Sequence, residues 1–187
     1  DDDDDEMIKV PDELYGKTAT STSPLPGTDE IDNIDVPRIA SGGEGGESPY
    51  ELGAAELRNL NSHLHRVMTR EKIGKGALLA YVPAKESFEL VDAVSFSEYT
   101  KAMLSISVHA PVYRNILAHG RTLHVKGPFD RSSFVESRYD DTDRRKLQEL
   151  LFVPVRGPGG DITAVVHVAA ESPLSNPANL AKDLAAA

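Results

Sequence analysis

The chain has 187 residues, room for one ordinary domain plus an extension, and its net charge of −10 is unevenly spread: residues 1–50 carry 14 Asp and Glu against 3 Lys and Arg, residues 51–187 carry 16 against 17. The near-neutral remainder holds all six His and offers no field for a phosphate backbone or an anionic membrane surface, so neither nucleic acid nor membrane is expected as a partner. With no Cys, thiol catalysis, disulfides, thiolate-held zinc and thioether-linked chromophores are excluded.

Residues 1–47 open with DDDDDE and continue through SPLPGTDEIDNIDVP to ASGGEGGES. Charge, Pro, Gly and Ser leave too few apolar residues to offset the entropy of ordering, and the stretch reads as a disordered acidic linker ahead of a folded domain over residues 48–187. Two apolar islands, Met7-Ile8-Val10 and Ile31-Ile34-Val36, leave room for a segment that adds to a sheet edge or docks on a partner. No apolar run approaches the roughly 18 residues of a membrane span and no signal peptide is present, so a cytoplasmic protein is expected.

Order is expected from SPYE, where Ser48 caps, Pro49 takes the first helical position and Glu51 completes a capping box. Leu57, Leu60, Leu64 and Val67 then recur at three, four and three, an apolar stripe down a helix reaching Arg70. The stripe packs either on its own domain or, since the spacing also fits a short heptad seam, on the same helix of a second subunit; these four residues are the expected dimerisation set.

KIGKG breaks the helix. A strand over 77–82 follows, with an antiparallel partner over 87–94. Tyr99, Met103 and Ile106 suit one helix, and Val112, Ile116 and Leu117 a second that Gly120 ends. Residues 121–127 alternate as a short strand, PFDRSSFVESRYDD is a turn-rich loop, and TDRRKLQEL is a brief helix capped by Thr142. LLFVPVRGPGGDITAVVHVAAE is a hairpin of two apolar strands around a glycine turn, and NLAKDLAAA starts a terminal helix. Strands that meet through hairpins, with one long crossover after the second, give an α+β fold: an antiparallel sheet with helices packed on its faces.

That order resembles the GAF domain, a sensory module related in architecture to PAS domains. The pieces that carry the resemblance are ALLAYVP, FELVDAV, VYRNILAHGRTLHV and LLFVPVRGPGGDITAVVHVAAE, within about residues 50–171. It implies a leading helix, a strand pair, a helical and loop segment closing over one sheet face, and a final hairpin. The family's glycine early in the last strand is replaced by Thr163 and Ala164, and the NKFDE-type signature of cyclic-nucleotide binders is missing, so that ligand is not implied.

In the last strand Ile162, Ala164, Val166 and Val168 form one face and Thr163, Val165, His167 and Ala169 the other. The resemblance makes the second face a pocket floor, with His167 toward the ligand. The closing segment would supply Phe129, Phe134 and Tyr139 for stacking, Arg131 and Arg138 for anions, and Asp130 and Ser132 for hydrogen bonds, with Tyr113 and Arg114 entering from the preceding helix and His124 counted among the contacts. The plainer reading is a surface loop anchored by its aromatics.

His119, His124 and Asp130 do not converge as a metal set, and His63 and His65 diverge on a helix, so no metal and no cofactor is expected. A Ser132–His124–Asp130 set lacks the strained turn and oxyanion donors of a hydrolase, and GEGGES and GPGG lack the surroundings of a phosphate cradle. The expectation is a non-catalytic regulatory domain that binds a small ligand or protein partner and signals to other domains of its parent chain through dimerising terminal helices. The alternative is a ligand-free dimerisation or scaffolding module with a collapsed pocket.

Overall fold

The computed structural model describes Leu14 and residues 52–186. The expected cap at Ser48 lies outside them, and the leading helix α1 spans Ala54–Glu71, where the Glu56 carboxylate accepts from the Gly53 N–H at 2.9 Å. It stops at Lys72, whose left-handed backbone (φ 57°) turns its N–H back onto the Met68 and Thr69 carbonyls.

Six strands follow: β1 (Lys75–Val82), β2 (Ser87–Val94), β3 (Ile106–Ser107), β4 (Leu123–Lys126), β5 (Glu149–Arg156) and β6 (Ile162–Ala170). They form one sheet in the order β3-β2-β1-β6-β5-β4, every neighbouring pair antiparallel. The α+β expectation holds, and so do the first strand pair and the closing hairpin. β1 and β6 are central, so their side chains must be apolar on both sides, as their near-continuous burial shows.

Helices cover both faces. On the outer face α1 and the terminal helix α6 (Pro177–Ala185) bury Leu60, Leu64, Val67, Leu180 and Leu184 against Leu78, Leu151, Val153, Val166 and Val168. The approach is close: a Cβ at Gly76 would come within 2.7 Å of the Met68 sulfur. His63 Nε2 donates to the Asp183 carbonyl at 2.6 Å and Arg70 pairs with the Asp183 carboxylate at 2.6 Å, tying the two helices together. On the inner face α2 (Glu98–Met103), α3 (Pro111–His119), α4 (Ser133–Arg138) and α5 (Asp141–Arg144) close over Ala77, Leu79, Phe152 and Val165.

Several expectations are corrected. Of the two coverings open to the α1 stripe, packing on its own domain is the one seen: Leu60, Leu64 and Val67 are at most 5 % exposed and Leu57 is half-buried, so these residues offer little free surface to a second subunit. Tyr99 and Met103 do not face a core; α2 turns Thr100 inward instead, and Ile106 belongs to β3. Part of the expected loop is helix α4, with the Ser132 hydroxyl accepting from the Val135 N–H, and α5 is capped by Asp140 rather than Thr142. The expected linker 1–47 lies outside the described residues apart from Leu14, whose side chain is fully buried in the inner layer.

Because Leu64 is anchored inside the chain, Leu64→Ala is expected to lower stability by about 2–5 kcal/mol in urea unfolding while leaving the oligomeric state by light scattering unchanged.

Candidate functional site

Among the described residues, the inner layer is the candidate interior, lying beneath the closing segment. Its floor is β6, where His167 stands opposite Ala77 of β1 and Phe152 of β5. Val165 and Ala169 flank it on the same face, whereas Ala164, Val166 and Val168 face α1 and α6. One expected floor residue is not there. The pairing runs Val155↔Ala164 and then Arg156↔Ile162, so Thr163 is the extra residue of a bulge. Its hydroxyl donates to the Val155 carbonyl at 3.4 Å and its side chain lies beside Leu52, Asn59 and Leu60 at the start of α1, while Ile162 packs on the inner layer in its place.

His167, 1 % exposed, is enclosed by rings. Phe152 stacks on it at 4.4 Å between centroids, and Phe96, Tyr139 and Phe134 stand 6.2, 5.9 and 6.3 Å away. Further along the layer Phe88 stacks on Tyr113 at 4.9 Å and lies 5.6 Å from Tyr81. Burial pushes the His167 pKa down to about 3, the Leu151 backbone opposing only in part, so the imidazole is neutral. Burial likewise raises the Tyr139 and Tyr113 phenols well above their ordinary range. Tyr139 keeps its proton and shares a hydrogen bond with His167 Nε2, while His167 Nδ1 has no partner in full hydrogen-bonding geometry among the described residues, the Leu151 backbone lying near the ring. The Tyr81 hydroxyl is also buried without a partner among the described residues.

The closing segment is held by a small polar clamp. Asp143, 3 % exposed, accepts from the Ser97 N–H at 3.0 Å and from the Thr100 hydroxyl at 2.5 Å, and its other oxygen is 3.3 Å from Lys75 Nζ. Thr100 in turn accepts from the Asp140 N–H at 3.1 Å. Hydrogen bonds from Ser97, Thr142 and the Asp143 N–H hold the Asp140 carboxyl down at about 2. Residues from α2 and the start of β1 thus meet on one carboxylate of α5.

The expected site residues divide by direction. Tyr113, Phe129, Tyr139, Val165 and His167 point into the inner layer. Arg114, Asp130 and Arg131 point to solvent, and Arg138 lies over the Phe134 ring at 4.6 Å. Phe129 and Asp130 also line an open cleft of about 800 Å³ with Glu136, Arg144, Arg145 and Leu147. His124 lies on the opposite side of the sheet, 3.4 Å from Glu149 and beside Ala181 and Lys182 of α6, because alternation along β4 sends Leu123 and Val125 inward. It is therefore not a contact of the interior, and it cannot meet Ser132, whose hydroxyl caps α4 in the inner layer. Phe152 was legible, being opposite His167 in the hairpin; Phe96, Phe88 and the Asp143 clamp join positions too distant in sequence to be read together.

Leading helix, strand pair, closing segment over one face and final hairpin stand in the arrangement that the resemblance implies. The fold is GAF-like. No family model matches the chain, and no curated protein matches it. Solved structures similar to the GAF-like domain include a GAF domain/HD domain protein from Geobacter sulfurreducens (10 % identity, 72 % of this chain and 92 % of that one, TM-score 0.49). Others are the GAF domain of an Acinetobacter phosphoenolpyruvate-protein phosphotransferase (11 %, 72 % and 92 %, 0.48) and that of a two-component sensor histidine kinase from Bacillus halodurans (14 %, 67 % and 88 %, 0.49).

Two outcomes follow from the GAF-like interior. The folded value of His167 lies below the ordinary 6.5, so the unfolded chain takes up this proton first. Stability is then complete above about pH 6.5 and is lost as pH falls toward about 3, by an amount on the order of a few kcal/mol. His167→Phe is expected to flatten that part of the stability–pH curve, measured by urea unfolding between pH 7 and pH 4. Removing the clamp with Asp143→Ala takes the acceptor from the Ser97 N–H and the Thr100 hydroxyl and leaves Lys75 paired with Glu171 alone; it is expected to cost about 1–3 kcal/mol and to speed amide exchange in α2 and α5 before the sheet opens.

Proposed function

We propose that the GAF-like domain is a non-catalytic regulatory module whose state depends on what occupies the interior between the sheet and its closing segment. The observation that carries this reading is the character of that interior: a neutral imidazole and phenols among phenylalanines, with two polar atoms, Tyr81 Oη and His167 Nδ1, left without partners. No Lys or Arg is buried among the described residues. A phosphate or carboxylate brought there would lose its hydration without gaining a counter-charge, a cost of several kcal/mol. The ligand class this favours is a neutral, mostly apolar small molecule offering one or two hydrogen-bonding groups, rather than a nucleotide.

Catalysis is not part of the reading. The groups from which a hydrolytic set would be drawn sit on opposite faces of the sheet, and His167 is too weak a base at about 3 to take a proton near neutrality. The likeness to sensory proteins agrees with a regulatory role but does not carry it. A ligand that binds the closed arrangement more tightly than an open one would shift the clamp, and with it α2 and α5.

Close ring packing, with Phe152 4.4 Å from His167 and Phe88 4.9 Å from Tyr113, favours a second reading in which the interior is permanently filled and the domain is a scaffold. Thermal shift separates the two. At a ligand concentration a hundredfold above its dissociation constant, a neutral aromatic or aliphatic compound is expected to raise Tm by roughly 5–10 °C, with nucleotides and other anions silent. Tyr81→Phe and His167→Phe should weaken the response. Silence across neutral compounds as well would establish the scaffold reading instead.

A further inference from the structure

Leu14 stands 38 positions before Leu52, the start of the described domain, yet its side chain is 0 % exposed and belongs to the inner-layer cluster that includes Ala77, Leu79 and Val165. From this we infer that the interior is a docking site for the chain's own acidic N-terminal segment, with Leu14 as the anchoring side chain.

Three considerations support it. A leucine reaches full burial only in apolar surroundings, and the cluster to which Leu14 belongs is built from the inner sheet face and its closing helices. A tether of 38 residues has a root-mean-square span of about 35 Å even as a random coil, comparable with the width of a domain this size, so the anchor is presented at high effective concentration. The charges are complementary: residues 1–50 carry 11 more acidic than basic side chains, whereas the closing segment 95–148 carries nine Lys and Arg against six Asp and Glu. A neutral apolar anchor suits an interior in which no Lys or Arg is buried among the described residues.

The segment then competes with any small molecule that uses the same space. That competition rests on the proposed ligand reading, whereas the docking does not. By linkage, a ligand that displaces Leu14 frees the acidic segment, and a partner that captures the segment opens the interior to ligand.

The test is limited trypsinolysis of the full chain without ligand. Lys17 lies three residues beyond Leu14, and Arg38 provides a cleavage site farther from the anchor. Cleavage after Lys17 relative to Arg38 is expected to be roughly fivefold or more slower in the native chain than in Leu14→Glu, with Leu14→Ala intermediate and Leu14→Met close to native. Both weakened variants should retain native far-ultraviolet dichroism and bind more of an apolar fluorescent dye. Equal cleavage after Lys17 in the native chain and Leu14→Ala overturns the docking. Repeating the assay with a neutral compound that raises Tm tests the competition alone: faster Lys17 cleavage supports it, and an unchanged rate overturns it while leaving the docking in place.

Discussion

A sheet covered on both faces has to hide every side chain of its central strands, and the rest of this molecule is arranged around that constraint. β1, β5 and β6 satisfy it almost wholly with Ala, Val, Leu and Phe, and the sheet divides the core into two clusters that share no residue. The outer cluster is aliphatic and is sealed by α1 and α6. The inner one is aromatic and lies beneath a closing segment of short helices. Since alternation along a strand assigns each residue to one cluster or the other, a single bulge has large consequences. At Thr163 it sends a hydroxyl to the α1 side and brings Ile162 to the inner side, keeping the polar group where the Val155 carbonyl can accept from it.

His167 is the exception within β6, and its environment gives the interior its chemical character. Enclosed by four rings and bonded by a phenol that retains its proton, the imidazole is kept neutral by the cost of burying a charge. The same cost excludes anions from the layer.

The closing segment has little regular structure of its own: α2, α4 and α5 are six, six and four residues long, below the length at which a helix is stable without tertiary support. Its position depends on aromatic residues driven inward and on one buried carboxylate that gathers Ser97, Thr100 and Lys75. Short helices held by a few long-range polar contacts can be displaced without unfolding the sheet.

The local patterns in the sequence were enough to establish the antiparallel sheet, the hairpin around GPGG, the α3 helix with Gly120 at its end (φ 61°) and the exclusion of sulfur chemistry, because each depends on periodicity, turn residues or composition within a short window. The inward set Tyr113, Tyr139, Val165 and His167 was legible for the same reason. What the tertiary structure alone decided is which partner covers each face. Periodicity shows that the stripe of Leu60, Leu64 and Val67 must be buried but not by what, and here the chain's own sheet reaches it first. It cannot reveal a bulge that moves Thr163 across the sheet, a carboxylate of α5 that collects donors from α2 and β1, or the burial of Leu14 far in sequence from the domain it joins, since all three arise from contacts between residues that no local pattern connects.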